Sequence, residues 1–206
     1  MVQPLDYLKE SASQTAGPYV HIGCTPNFVG INGVFKQDLG AGKLYDDQAT
    51  GTRITIRGTV FDGGGYALKD ALVEIWQADA QGLYNSPSET AGAPDPHFAG
   101  WGRSPGDMDT GEFLFETIKP GRVPFKDGRF MAPHITFWIV ARGINIGLHT
   151  RMYFPEEDAA NVADPVLARI EHKDRVPTLI AKPDGENAYR FDIRLQGDGE
   201  TVFFDI

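Results

Sequence analysis

His134–Arg142 reads HITFWIVAR, a nearly continuous apolar run of the kind found in a central strand covered on both faces. The segments around it alternate instead. ALVEIWQAD at Ala71–Asp79 sets Ala71, Val73 and Ile75 opposite Glu74 and Trp76, and RITIRGTVFD at Arg53–Asp62 sets Ile54, Ile56, Gly58 and Val60 on one face. That period of two belongs to strands. GEFLFETI (Gly111–Ile118) follows a DMDTG turn, and Leu148–Phe154, Tyr189–Gln196 and Thr201–Asp205 complete the set. In YRFDIRLQ, Tyr189, Phe191, Ile193 and Leu195 share a face. Gly63-Gly64-Gly65 permits a tight reversal, because residues without a Cβ accept positive φ. Helical signals are few: Asp164-Pro165 opens VLARIEHK with an N-cap residue and a proline at the first helical position, and Pro155–Ala160 has the look of another short helix start. Short strands between Gly/Pro turns predict an all-β protein, a β-sandwich with one or two short helices. No composition break or repeat divides residues 1–206, which read as one domain. Its first stretch, about residues 1–50, is an irregular N-terminal arm that packs either on a partner subunit or on its own domain.

Composition narrows the function. The chain has 206 residues, a net charge of −9 and one cysteine, Cys24. The acidic balance argues against a nucleic-acid surface, which needs clustered Lys and Arg. A single thiol excludes an internal disulfide framework and any multi-cysteine metal site. No apolar stretch approaches the roughly 20 residues of a membrane span, and the start MVQPLDYLKESASQTAGPY lacks an apolar signal core. The expected compartment is the cytoplasm.

Few residues stand out as chemistry. His134 on its apolar strand reads as a core histidine bonded to backbone, since a chelating pair on one strand needs i, i+2 spacing and position 136 is Thr. Tyr84 follows Gly82 in a turn-like segment. His149 and His172 have surface-like neighbours, and His21 follows SQTAGPY, whose Gly17-Pro18 pair fixes the backbone. Asp107, Asp109 and Glu112 read as a polar turn. Gly63–Gly65 is no phosphate loop, because no GK[ST] follows. Arg142 ends the long strand before Gly143, so its guanidinium either projects toward an anion or makes a surface salt bridge.

WQADAQGLYNSP (Trp76–Pro87), FAGWGRSPGDMDTGEFLFETIKPG (Phe98–Gly121) and MAPHITFWIVARGINIGLHTRMYF (Met131–Phe154) resemble the intradiol ring-cleavage dioxygenases. SQTAGPYVHIG and YRFDIRLQGDGETVFFDI resemble the alpha chain of the family's heteromeric members. The family pattern implies a ferric, non-haem iron held by two tyrosines and two histidines. Its G-x-Y turn matches Gly82-Leu83-Tyr84, but its G-x-Y-P reads Gly121-Arg122-Val123-Pro124 here, and its P-x-H-x-H reads Pro133-His134-Ile135-Thr136. Val123 and Thr136 thus stand where two of four ligands belong. Valine offers no donor, and hard Fe(III) is suited by phenolate oxygen, so no iron is expected on this chain alone.

What the resemblance implies is therefore a subunit. The iron would lie on a homologous beta subunit, and alpha–beta protomers would build a higher oligomer. Protocatechuate and O2 would be the substrates, with the ring opened between the two oxygenated carbons in the β-ketoadipate route. Thr15, Gly17, Pro18 and Tyr19 would line the partner's substrate cavity, and Arg142 would help to bind the anionic substrate. The net charge of −9 disfavours long-range steering of an anion, which leaves the attraction to local cations. Two other readings stand beside this one: a self-sufficient dioxygenase using Tyr84 and His134, and a non-enzymatic binding or scaffold protein.

Overall fold

The long apolar strand does sit inside a sheet. In the computed structural model, which describes residues 14–17 and 19–205, β7 (His134–Val140) lies between β2 (Leu72–Trp76) and β8 (Leu148–Tyr153), with β3 (Trp101–Pro105) on the far side of β2. The second sheet centres on β1 (Arg53–Phe61). β4 (Glu112–Ile118) pairs with β1 antiparallel on one side. On the other, β10 (Ala188–Arg190) and β11 (Ile193–Arg194) pair with it in parallel, and β9 (Lys182–Pro183) extends β10. Between the sheets, Ile54, Ile56, Val60, Phe113 and Phe115 meet Val73, Ile75, Ile135, Phe137 and Ile139 in one buried cluster. Phe137 is its hub, with ring centroids 5.1 Å from Phe191 and 5.9 Å from Phe113.

Strand parity then decides what faces outward. If Ile135, Phe137 and Ile139 point into the sandwich, His134, Thr136 and Trp138 point out of it. The register across β8 sets Tyr153, Arg151 and His149 opposite them. This outer face is covered by residues 155–181 and the C-terminal stretch, through a cluster of Ala132, Tyr153, Leu167, Leu179 and Val202.

Several local expectations change. Tyr189–Gln196 is not one strand: it breaks at Phe191 and Asp192, where the Asp192 carboxylate accepts the Thr59 N–H at 3.1 Å in place of a backbone acceptor. Thr201–Asp205 is not a strand but a stretch tied to β8 by the Thr150 hydroxyl, which donates to Val202 O at 2.7 Å, and by Phe204 N–H donating to His149 O at 2.8 Å. Asp164 caps as expected, accepting from Val166 and Leu167 N–H at 2.7 and 2.9 Å. The helix is only a single 3₁₀ turn, Leu167–Arg169, because Asp164 is also fixed to Ala132 N–H at 2.8 Å and Leu167 is buried below it. The other helix start holds, as a 3₁₀ turn at Pro155–Glu157 running into α2 (Asp158–Val162); the arm adds α1 (Val20–Cys24), which has no clear signal in the sequence. β3 also lacks one, since WGRSP owes its place to Glu74, which pairs with Arg103 at 2.6 Å and accepts from Trp101 Nε1 at 3.2 Å. Much of the described arm lies on its own domain: Leu44 enters the core, and Arg103 donates from its N–H to Gly40 O at 2.8 Å and from Nη1 to Cys24 O at 3.1 Å. Among the described residues no helix is long and apolar enough to cross a membrane.

Candidate functional site

Two groups of residues singled out in the sequence come together, at opposite ends of β7. At its C-terminal end the chain turns through Ala141, Arg142 and Gly143, with Gly143 at φ 87°. Thr15 straddles this turn: its hydroxyl donates to Ala141 O at 3.1 Å and accepts from Gly143 N–H at 2.9 Å. The arm segment is thereby fastened beside Arg142. Arg142 lays Nε and one terminal nitrogen on Asp70 Oδ2 at 3.0 and 2.9 Å, and 67% of its side chain stays exposed. It is a salt bridge and an outward-facing cation at once. His21, buried, clamps the arm from below, with Nε2 3.2 Å from Asp70 O and Nδ1 3.0 Å from Thr25 Oγ1. Nε2 donates to the carbonyl, which can only accept. Gly17 O accepts Val20 N–H at 3.0 Å, and Tyr19 stands 80% exposed at the head of α1. Pro18 lies outside the described residues. A groove of about 650 Å³ runs past Arg142 along Leu68, Ile144 and Leu195.

At the other end, three chain segments converge. Gly82, at φ 85°, and Gly121 let the 79–83 and 120–123 loops pack back to back: a Cβ on Gly82 would strike Arg122 O, and one on Gly121 would lie 2.6 Å from Ala80 O. Asp79 locks the first loop through Gln81 and Leu83 N–H, at 2.9 and 3.0 Å. Tyr84, stacked on Trp76 at 5.7 Å, therefore packs with Val123, Met131 and Ala78. Val123 sits in β5 (Val123–Pro124), paired with Met131 of β6 (Phe130–Met131). His134 is 1% exposed and bonds through Nδ1 to Ala132 O at 2.7 Å, the core-histidine arrangement; its Nε2 is buried with no partner among the described residues. Thr136 lies between Trp76 and Arg151 in the sheet.

Arg151 is the residue that the sequence reading missed. Its Nη1 lies 3.4 Å from Met131 Sδ, and its charge acts on both Tyr84 and His134. Burial drives the His134 pKa down to about 4, and Arg151 pushes the same way. Burial raises the Tyr84 phenol, partly opposed by Arg151. Both rings are thus held neutral. The readable signal was an arginine inside a strand, between positions that alternate inward. His149 departs from expectation too, because its Nδ1 is buried rather than solvated.

The sequence profile of the Dioxygenase family matches residues 24–197. The chain is 47% identical over 205 residues to the protocatechuate 3,4-dioxygenase alpha chain of Pseudomonas putida, covering 98% of this chain and 99% of that one. It belongs to the intradiol dioxygenase family. It is also 33% identical to the protocatechuate 3,4-dioxygenase beta chain of Burkholderia cepacia, over 82% of this chain and 75% of that one. Its fold matches the dioxygenase domain of a Streptomyces carbohydrate-binding fusion at a TM-score of 0.55 and 24% identity, over 83% and 95% of the two chains.

Intradiol dioxygenases use non-haem iron, so the four positions that the resemblance implies as ligands, Tyr84, Val123, His134 and Thr136, can be tested for fit. They do converge, but they do not fit that ion. Val123 belongs to an apolar cluster, Thr136 offers a neutral hydroxyl, and the Arg151 cation faces the remaining pair. Among the described residues no group of three or more His, Cys, Asp or Glu side chains is placed to hold a metal.

Proposed function

We propose that this chain is the alpha subunit of a heteromeric protocatechuate 3,4-dioxygenase, paired with a homologous beta subunit that holds the ferric iron. The complex would cleave 3,4-dihydroxybenzoate with O2 between its two hydroxylated carbons, giving 3-carboxy-cis,cis-muconate. When bound, that iron supplies Lewis-acid activation and orientation of the catechol. In this reading the chain's own contribution is binding. The segment of Thr15, Gly17, Pro18 and Tyr19 walls the substrate cavity of the partner, and Arg142 offers its exposed guanidinium to the substrate carboxylate. The single observation that carries the reading is the pairing of a near end-to-end likeness to an alpha chain with a ligand set in which Val123, Thr136 and Arg151 stand against a cation. Assembly into higher oligomers and action in the cytoplasm belong to the same proposal.

Iron analysis and oxygen uptake test it. The full chain purified alone should carry little iron and consume no O2 with protocatechuate. Co-expressed with a beta chain complete in the G-x-Y-P and H-x-H motifs, it should copurify as an active iron complex. Near-stoichiometric ferric iron with a tyrosinate-to-iron visible band on the chain alone would overturn the proposal.

A further inference from the structure

A cavity of about 480 Å³ opens on the outer face of the β7–β8 pair, beside Thr136, His149 and Arg151. Its size falls within the roughly 300–1,000 Å³ of small-ligand sites. Ile170, Val202 and Phe204 supply apolar walls. Arg151 is half-buried, and its neighbours are uncharged: the Met131 sulfur at 3.4 Å, the Phe204 ring at 5.9 Å and the Tyr153 phenol. Among the described residues no carboxylate lies within ion-pair distance of it. A half-buried cation without a counterion is costly unless a ligand completes it. His149, which also borders the cavity, has its Nδ1 buried without a partner among the described residues. The other charged residues of the cavity, Arg169, Glu171 and Asp205, are all exposed and carry both signs, so Arg151 is the charge that selects.

We propose that this cavity is a binding site for a small organic monoanion, a carboxylate on a flat apolar body. The carboxylate pairs with the Arg151 guanidinium, which suits a planar two-oxygen partner. The body lies against Phe204, Ile170 and Val202. A neutral ligand would leave the arginine uncompensated, and a dianion would bring a second charge that nothing as buried answers.

Benzoate is the probe, titrated into the purified full-length chain and followed by calorimetry and tryptophan fluorescence. One benzoate should bind per chain with a Kd below about 1 mM, and benzamide, its uncharged isostere, at least about tenfold more weakly. Arg151→Gln should weaken benzoate by about tenfold or more, while Lys43→Gln, an exposed cation outside the cavity, leaves it unchanged. Equal binding of benzoate and benzamide, unchanged binding in a folded Arg151→Gln, no benzoate binding at all, or inorganic phosphate binding as tightly as benzoate would each overturn the proposal. If Arg151→Gln does not fold, the benzoate-to-benzamide ratio on the native chain still decides.

Discussion

Arg142 has part of its guanidinium committed to Asp70 and the remainder open to solvent. If the open part holds the substrate carboxylate in the alpha–beta complex, Arg142→Ala should raise KM for protocatechuate by about tenfold with a much smaller fall in kcat, the loss of one charge-assisted contact shared by ground and transition states. An unchanged KM would assign the side chain to the Asp70 pair alone. His134 yields a pH prediction. Its pKa is about 4 in the fold against an ordinary 6.5, so between those values the unfolded chain binds a proton that the folded chain refuses. Stability from this ring is complete above pH 6.5 and is lost as pH falls toward 4. Thermal melts of the native chain and His134→Gln should diverge least at acid pH; a difference independent of pH between 4 and 7 would refute the assignment. Arg151 yields a third expectation. Val123→Tyr with Thr136→His completes the donor list, yet the guanidinium still opposes a cation beside Tyr84 and His134. Ferric iron and its tyrosinate colour should appear only when Arg151 is replaced as well, by Gln, and uptake by the double variant would contradict this. That Val123 and Thr136 stand where the family resemblance implies a tyrosine and a histidine was legible residue by residue, from the motif positions. The guanidinium among them was not, since it needs the β7–β8 register to bring position 151 opposite 136.

Among the elements, β1 has the most demanding geometry. It pairs on both edges, and at Gly58 it passes so close to its neighbours that a Cβ would strike Phe191 O and lie 2.6 Å from the Phe113 ring. Backbone cannot yield as a flexible side chain does. Gly58→Ala should therefore lower the thermal midpoint by something on the order of 5 °C, the scale of overpacking in a domain of this size. Gly23→Ala in α1, where a Cβ meets nothing within 4 Å, should be neutral or slightly stabilising, and an equal effect at both positions would count against the packing argument. Strands whose pattern comes from burial, β1, β2, β4, β7 and β8, were readable from alternation or a continuous apolar run. Those made by particular long-range bonds were not: β3 depends on Glu74, and the break between β10 and β11 depends on a carboxylate turned to Thr59.

At the scale of the whole molecule the arm is lopsided. Its inner residues, Leu44 and His21, are buried, yet Ile22, Val34 and Leu39 are each more than half exposed, as is Tyr19. Exposed apolar residues so concentrated mark a surface that is covered in use. In the alpha–beta complex, amide hydrogen exchange over residues 19–39 should slow by at least about tenfold relative to the chain alone; exchange as fast in the complex would place the partner elsewhere. The exposure of that segment was not legible from its sequence, where an arm on its own domain and an arm on a partner read alike. The pairing of β1 with β10 and β11 has a temporal side. Thr55 is paired in register with Ala188 and Val60 with Ile193, so one edge of β1 waits for residues far along the chain. Local hairpins such as β7–β8 can form during synthesis, whereas contacts this distant in sequence must come late and slowly. Until those strands dock, one edge of β1 stands unpaired, a row of free N–H and C=O groups open to another chain.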